Sequence, residues 1–238
     1  MKITKKTCLV LTCFGAAISI AARAGTLASG FSSSTFNNNG TLPWGSHTDH
    51  GSEYYQSWDA GFSGGTLTIH SIYNSGGHKY ESGVVYGKTQ VPASGYSYVT
   101  VDVNIQNTYV GVRGCWPAFW LDTTKSWPPE IDIAEFKGNQ GNQVWQNVCN
   151  DYQQWTVVEN WAGTGSVHYG LAMGPANGGN RTYQLWMNGS IKGQGTFHDS
   201  QNSPFWVIAN MAMEGDSGSP GPTYNTWVSM SSYTLATH

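Results

Sequence analysis

Three carboxylates stand within six residues of a segment that otherwise has the apolar composition of a strand, Glu130-Ile-Asp-Ile-Ala-Glu135. Successive side chains of a strand point to opposite faces, so Glu130 and Asp132 share a face. Glu135 lies five residues after Glu130 and would point to the other face of a regular strand. A β-bulge at Ile133-Ala134 adds one residue and returns Glu135 to the face of the other two acids. The spacing therefore predicts a bulged strand with three acids on one face.

Carboxylates gathered beside tryptophans are costly to desolvate, and a cleft that uses them for acid–base chemistry would explain the pattern. The preceding stretch, Trp116-Pro-Ala-Phe-Trp-Leu121, surrounds the acids with apolar and aromatic side chains. A solvated acidic edge is the alternative, and it is disfavoured because an open surface would be more polar. We therefore predict that the three acids line a cleft.

The first 24 residues have the pattern of a secretory signal peptide. A basic start, Met1-Lys-Ile-Thr-Lys-Lys6, precedes the apolar run 8–22 and a small-x-small cleavage site at Ala22-Arg-Ala24. The apolar run is short for a membrane anchor. We predict cleavage after Ala24 and a secreted protein, extracellular or periplasmic, of bacterial type. Residues 25–238 then form one domain, with an irregular lead-in over 25–40.

The predicted mature chain is acidic. Four of the 11 Lys and Arg residues lie in the signal peptide, which holds none of the 14 Asp and Glu residues, so the remaining formal charge is 7 − 14 = −7. Because no basic run is present, nucleic acid and membrane surfaces are not expected as partners. We expect a monomer that needs no cofactor.

Two cysteines, Cys115 and Cys149, remain after cleavage, in a compartment where disulfides persist. A Cys115–Cys149 disulfide and two buried free thiols are both open, because the sequence does not give the separation of their Cα atoms. Two cysteines without a histidine cluster do not make a zinc site. His70, His78 and His198 lack the spacing of metal ligands, so no metal site is expected.

The elements that must position the acids are strands. Aromatic and β-branched segments alternate with Gly- and Asn-rich turns, and 11 Trp and 13 Tyr accompany only 11% charged residues. Asn188-Gly189 predicts a tight hairpin turn. Strands are predicted at 66–72, 81–88, 99–105, 183–187, 205–213 and 227–235, and no segment has the pattern of a helix of three turns. The prediction is one all-β domain, a jelly roll of two antiparallel sheets.

The segment 116–121 followed by Glu130-Ile-Asp-Ile-Ala-Glu135 resembles glycoside hydrolase family 16 in its bulged, laminarinase-like form. Segments 82–88, 168–170, 183–189 and 204–212 are similar to further elements of the family, so the resemblance covers residues 40–236. It implies a concanavalin-like β-jelly roll with a concave cleft. It also implies endo-acting hydrolysis of a β-linked polysaccharide with retention of anomeric configuration.

The resemblance implies roles for the three acids by position: Glu130 as nucleophile, Glu135 as general acid/base, and Asp132 as an assisting acid between them. Retention needs carboxyl groups about 5–5.5 Å apart, one ionised and one protonated. We therefore expect a raised pKa for Glu135 and an ionised Glu130. The family often has a histidine on the strand after the bulge, and 144–149 contains none. Structural calcium occurs in the family, but no Asp/Asn cluster here requires it.

Five residues are candidates for substrate binding, because sugar clefts combine aromatic rings with a few polar groups: Trp116, Trp120, Trp127, Trp145 and Asn210. Trp116 and Trp120 share a strand face by parity, and we expect one of them to be a sugar platform and the other to be in the core. Asn210 interrupts an apolar strand and either binds substrate or pairs with a buried partner.

The first substrate that the resemblance implies is a β-1,3- or mixed-linkage β-glucan, and a β-galactan of the agar or β-1,3-galactan type is the alternative. A non-catalytic carbohydrate-binding, lectin-like domain on the same fold is an alternative of another class, although a binder needs no acid/base pair. A jelly-roll polysaccharide lyase is a third, and it would use a Tyr/His base with an Arg or Gln.

Overall fold

Two β-sheets pack against each other in the computed structural model, which describes residues 25–49, 51–73, 76–107, 112–138, 143–214 and 220–238. The predicted signal peptide, 1–24, lies outside the described residues. One sheet has ten strands and the other has seven. A short 3-10 turn lies at Ser57–Asp59. The predicted all-β architecture of two sheets is confirmed.

The strands, in chain order, are β1 (Gly25–Ser29), β2 (Phe36–Asn37), β3 (Glu53–Tyr55), β4 (Ala60–Ser63), β5 (Thr66–Tyr73), β6 (Tyr80–Ser82), β7 (Val84–Gly87), β8 (Val99–Gln106), β9 (Cys115–Thr123), β10 (Glu130–Glu135), β11 (Gln143–Cys149), β12 (Trp155–Trp161), β13 (Ser166–Met173), β14 (Asn180–Met187), β15 (Ser190–His198), β16 (Phe205–Met213) and β17 (Thr226–Thr237). The seven-stranded sheet has the order β12-β11-β10-β9-β16-β7-β2. The ten-stranded sheet has the order β15-β14-β13-β8-β17-β5-β6-β3, with β1 beside β17 and β4 beside β5.

The hydrophobic core lies between the two sheets, and alternation builds it. On β8, Val99, Val101, Val103 and Ile105 are fully buried, while the residues between them are partly exposed. The same cluster contains Phe119 and Leu121 of β9 and Val207 and Ala209 of β16. β9 and β16 of the seven-stranded sheet therefore give every second side chain to the core and leave the others for the opposite face.

The sequence pattern predicted four strands and one hairpin turn correctly. The strands predicted at 66–72, 99–105, 205–213 and 227–235 are present as β5, β8, β16 and β17. The hairpin turn between β14 and β15 is also confirmed, with positive φ at both Asn188 (49°) and Gly189 (76°). Two successive residues with positive φ are typical of a type I′ turn, which matches the twist of the flanking strands.

Two predictions about strands are wrong. The segment 81–88 is not one strand, because the chain leaves the ten-stranded sheet after β6 and enters the seven-stranded sheet at β7. Gly83 makes this crossing, and a Cβ there would lie 2.5 Å from the carbonyl oxygen of Asp59. The lead-in 25–40 is not irregular throughout, because β1 pairs with the long last strand β17 and β2 pairs with β7.

One parallel pair, β3 with β6, also departs from a purely antiparallel arrangement.

Of the two alternatives left open for the cysteines, the structure has the free thiols: Cys115 and Cys149 are both buried and form no disulfide. Strand register explains this. Glu130 pairs with Asp122 on β9 and with Cys149 on β11, so Cys149 is level with Asp122. Cys115 lies seven residues farther along β9, about 23 Å at the usual rise of a strand. A disulfide needs Cα atoms within about 7 Å.

Among the described residues, no helix has the length and apolar character needed to cross a bilayer.

Candidate active site

The three acids lie on β10, and the strand contains the predicted bulge. Opposite β9, Asp132 pairs with Trp120 while Ala134 pairs with Phe119, which leaves Ile133 as the extra residue. The register against β11 shifts at the same place. The buried Gln146 side chain donates to the carbonyl oxygen of Ile133 at 2.9 Å. This contact satisfies a carbonyl group that the shifted ladder would otherwise leave unpaired.

The bulge brings the three acids to the same face of β10. Ile133 and Ala134 are both fully buried in the core, so the strand returns to the cleft face at Glu135. Glu130, Asp132 and Glu135 all line one cleft of about 810 Å³ on the face of the seven-stranded sheet turned away from the core. The predicted grouping of the three acids is therefore confirmed.

Indole and amide groups hold the acids. Trp127 donates its Nε1 hydrogen to Oε2 of Glu130 at 2.9 Å. Asn147, on β11, donates from Nδ2 to Oδ2 of Asp132 at 3.1 Å and to Oε2 of Glu135 at 2.6 Å. Trp116 also hydrogen-bonds the Glu135 side chain. Each carboxyl group thus has at least one fixed donor, which limits its rotation in the cleft.

Burial dominates the protonation of this cluster. It raises the pKa of Glu130 to about 8, and the neighbouring Asp122 carboxylate is the next cause. Burial, followed by the charge of Glu130, raises the pKa of Asp132 well above its usual range. Burial, followed by the charge of Asp132, does the same for Glu135. The raised pKa expected for Glu135 is present. The expectation that Glu130 is ionised at neutral pH is wrong, because partial burial and the Asp122 carboxylate raise its pKa as well.

Pattern reasoning missed several polar residues of the site. Asp49 comes from the connection between β2 and β3, and Asp122 is the cleft-facing residue of β9 next to Glu130. Asn147 lies on β11, opposite Asp132 of β10. Parity with Trp116 and Trp120 could have revealed Asp122. Asp49 and Asn147 carry no local signal, because their places depend on chain connection and strand register.

The five substrate-binding candidates occupy different environments. Trp116, Trp120, Trp127 and Trp145 all line the cleft. Trp127 is 45% exposed, whereas Trp120 is 5% exposed and donates from Nε1 to Oδ1 of Asn210 at 3.0 Å. Asn210 is only 1% exposed, lies at the floor beside the acids, and also donates to the Tyr55 hydroxyl group at 2.8 Å. Trp120 and Asn210 therefore hold the cleft floor together.

Two further tryptophans line the cleft and are well exposed. Trp44 precedes Asp49 in the chain and packs edge-on against Trp120, with 6.2 Å between ring centroids. Trp155 begins β12, the edge strand of the sheet. The exposed fractions are 51% for Trp44 and 47% for Trp155. Both rings are available to the apolar face of a sugar.

Comparison with known proteins supports this description. The family profile described as "Glycosyl hydrolases family 16" matches residues 53–157, a range that includes the whole of β10. A galactan endo-beta-1,3-galactanase of Flammulina velutipes is 34% identical over 152 residues, which cover 62% of this chain and 59% of that protein. An endo-1,3-1,4-beta-glycanase of Rhizobium meliloti is 26% identical over 154 residues, which cover 60% of this chain and 30% of that protein. The chain thus spans only part of the length of the curated relatives.

The fold is also that of solved structures. The catalytic domain of an endo-1,3-beta-glucanase (laminarinase) from Thermotoga petrophila superposes with a TM-score of 0.63 at 18% sequence identity. The superposition covers 87% of this chain and 93% of that domain. Such low identity supports the two-sheet jelly roll alone. The profile match over residues 53–157, the curated relatives and the fold all agree with glycoside hydrolase family 16.

Proposed function

We propose that this protein is an endo-acting, retaining β-glycoside hydrolase. The observation that carries the proposal is the placement of Glu130 and Glu135 on one cleft face by the β10 bulge, with Asp132 between them. A pair of carboxyl groups flanking one glycosidic bond is the arrangement that glycoside hydrolysis requires. A lectin-like binder would have no use for three clustered acids, of which Asp132 and Glu135 are buried, because their desolvation destabilises the fold.

The reaction assigns one role to each glutamate. The Glu130 carboxylate attacks the anomeric carbon while Glu135 gives its proton to the leaving oxygen, so a glycosyl ester forms and the glycosidic bond breaks. Water then attacks the anomeric carbon, Glu135 accepts its proton, and the ester bond to Glu130 breaks. Two inversions at one carbon give net retention.

The surroundings of the acids fit these roles. The indole N–H of Trp127 lowers the pKa of Glu130 against the larger effects of burial and Asp122, and so favours its charged form. Glu135 keeps its proton because the site is buried and Asp132 is close. Asp132 assists by sharing the Asn147 amide with Glu135, which couples the two carboxyl groups.

The cleft suits a sugar polymer. Trp145 Nε1, Asn147 Oδ1 and Asp122 Oδ1 line it as buried polar atoms without a hydrogen-bond partner in the described part of the chain. Side-chain rotation on binding would bring these atoms into contact with sugar hydroxyl groups, which both donate and accept hydrogen bonds. The exposed rings of Trp44, Trp127 and Trp155 supply apolar surface for several sugar units. A cleft of this kind favours attack within a chain.

A β-1,3-linked backbone is the best-supported substrate. The names of the galactanase, the glycanase and the laminarinase all contain a 1,3 linkage. The most identical of these relatives acts on galactan, so β-1,3-galactan stands beside β-1,3-glucan and mixed-linkage β-glucan as a substrate. We further propose that the enzyme is secreted and acts as a monomer without a cofactor.

The test is a reducing-end assay on purified protein with laminarin, mixed-linkage β-glucan, β-1,3-galactan and agar. We expect one of the β-1,3-linked polymers to be cut internally, with a rapid fall in viscosity. Proton NMR of the first product would show the β-anomer. Glu130→Gln should remove activity, because the amide cannot form the ester. An active E130Q variant, or binding without new reducing ends, would contradict the proposal.

A further inference from the structure

Lys137 is held in place by the strand pairing that positions Glu135. Beyond the end of β10, the Phe136 N–H donates to the Pro117 carbonyl group and the Gly138 N–H donates to the Cys115 carbonyl group, both at 3.0 Å. The chain therefore stays extended against β9, and Lys137, two residues after Glu135, faces the same cleft. A Cβ on Gly138 would lie 2.6 Å from the Cys115 carbonyl oxygen, so a glycine is needed for this close approach.

The ammonium group of Lys137 lies over two indole rings of the cleft. Its Nζ atom is 4.5 Å from the ring centroid of Trp145 and 5.2 Å from that of Trp116. Both distances are within the range of cation–π attraction. Trp116 also hydrogen-bonds the Glu135 side chain. The cation thus steadies the ring that contacts the general acid/base.

The charges around Glu135 are mostly negative. Acidic groups line the cleft from its own strand, from β9 and from the connection before β3: Glu130, Asp132, Asp122 and Asp49. Glu159 of β12 pairs with Trp145. Among the described residues that line the cleft, the cations are Lys125 and Lys137. Lys125 Nζ donates to the carbonyl oxygen of Gln201, away from Glu135. The positive charge of Lys137 lowers the pKa of Glu135 against the larger effects of burial and Asp132.

We propose that Lys137 is a positioning residue for Glu135, which it orients through Trp116 and whose proton affinity it limits by its charge. The inference rests on the proposed function, in which Glu135 must release its proton in one step and accept one in the next. A carboxyl group surrounded only by acids would hold its proton too tightly to serve as an acid. Lys137 offsets part of that effect.

The test compares Lys137→Met, which keeps an unbranched apolar chain, with Lys137→Arg, which keeps the charge. Lys192→Met, at an exposed position on β15, is the control for loss of a lysine elsewhere. The readout is the pH profile of kcat/KM on the polymer that the wild type cuts. A second readout is the carboxyl titration of Glu135 by carbon-13 NMR, assigned with the E135Q variant.

We expect K137M to move the basic limb of the profile, and the NMR titration of Glu135, upward by about one pH unit. K137R and K192M should keep the wild-type limb. Coincident NMR titrations of K137M and wild type would overturn the role of Lys137. If the wild type cuts no glycan, the proposed function fails, while the NMR titration still decides whether Lys137 acts on Glu135.

Discussion

Trp120 and Asn210 form a hydrogen bond beneath the acids, with the indole Nε1 atom 3.0 Å from the amide oxygen. The amide nitrogen of Asn210 donates to the Tyr55 hydroxyl group at 2.8 Å, and its distance to Asp49 Oδ2 is 3.4 Å. One buried amide therefore connects β9, β16, β3 and the connection before β3. The polar residue that interrupts the apolar strand β16 ties the cleft floor together.

Replacing Asn210 with alanine should destabilise the protein. Trp120 and Tyr55 would each lose a buried partner, so the free energy of unfolding should fall by about 1–3 kcal/mol. Urea unfolding of N210A measures this. Asn104→Ala, which removes an exposed amide on β8 that donates to Ser232, is the matched control and should change little. Equal stabilities of the two variants would show that the buried network contributes nothing.

Replacing Trp127 with phenylalanine should shift the acid limb of kcat/KM. The indole N–H of Trp127 favours the charged form of Glu130, so its loss raises the pKa of the nucleophile further. The acid limb should therefore move to higher pH by roughly half a unit to one unit. The pH profile of W127F measures the shift. Trp58→Phe, at a ring outside the cleft that is 69% exposed, should leave the limb in place.

Asp122 should make the protein less stable as pH rises. Burial raises the pKa of this carboxyl group to about 7, and the nearby Asp49 adds to the effect. The folded state then keeps a proton that the unfolded state loses above about pH 4. The free energy of unfolding therefore falls between about pH 4 and pH 7, by roughly 1.4 kcal/mol for each unit of pKa difference.

Asp122→Asn removes this proton linkage and tests it. Urea unfolding at about pH 4 and about pH 8 should show that D122N gains stability relative to wild type at the higher pH. The gain should amount to a few kcal/mol at most, since other buried acids contribute to the total change. Parallel stabilities of the two proteins over this range would refute the linkage.

Gly83→Ala should destabilise the protein, because the crossing between the two sheets leaves no room for a side chain. The added Cβ would lie 2.5 Å from the Asp59 carbonyl oxygen and 2.8 Å from the Ala60 Cβ, so backbone must move. Overpacking of this kind costs about 1–3 kcal/mol. Gly61→Ala is the control, because its Cβ meets nothing within 4 Å. Thermal unfolding compares the two, and similar midpoints would contradict the argument.

Features that depend on neighbouring residues within one strand could be predicted from the sequence. Alternation of apolar residues located β8, and the spacing of the three acids located the bulge, because both depend on neighbours along one strand. The crossing at Gly83 could not be predicted, since it depends on which sheet each half of the segment joins. The roles of Asn147 and Lys137 also could not be predicted from the sequence, because strand register places these residues beside Glu135.

Loss of one residue from a strand ordinarily turns its following side chains to the opposite face. The extra residue of β10 is contained between Asp132 and Glu135, where Ile133 and Ala134 are both buried. Deleting Ala134 would leave Glu-x-Asp-x-Glu, a regular strand whose three acids still share the cleft face. The strand could therefore lose one residue and still present its three acids to the cleft. Such a deletion would keep Glu135 opposite Ala118 of β9 while removing one buried side chain from the core.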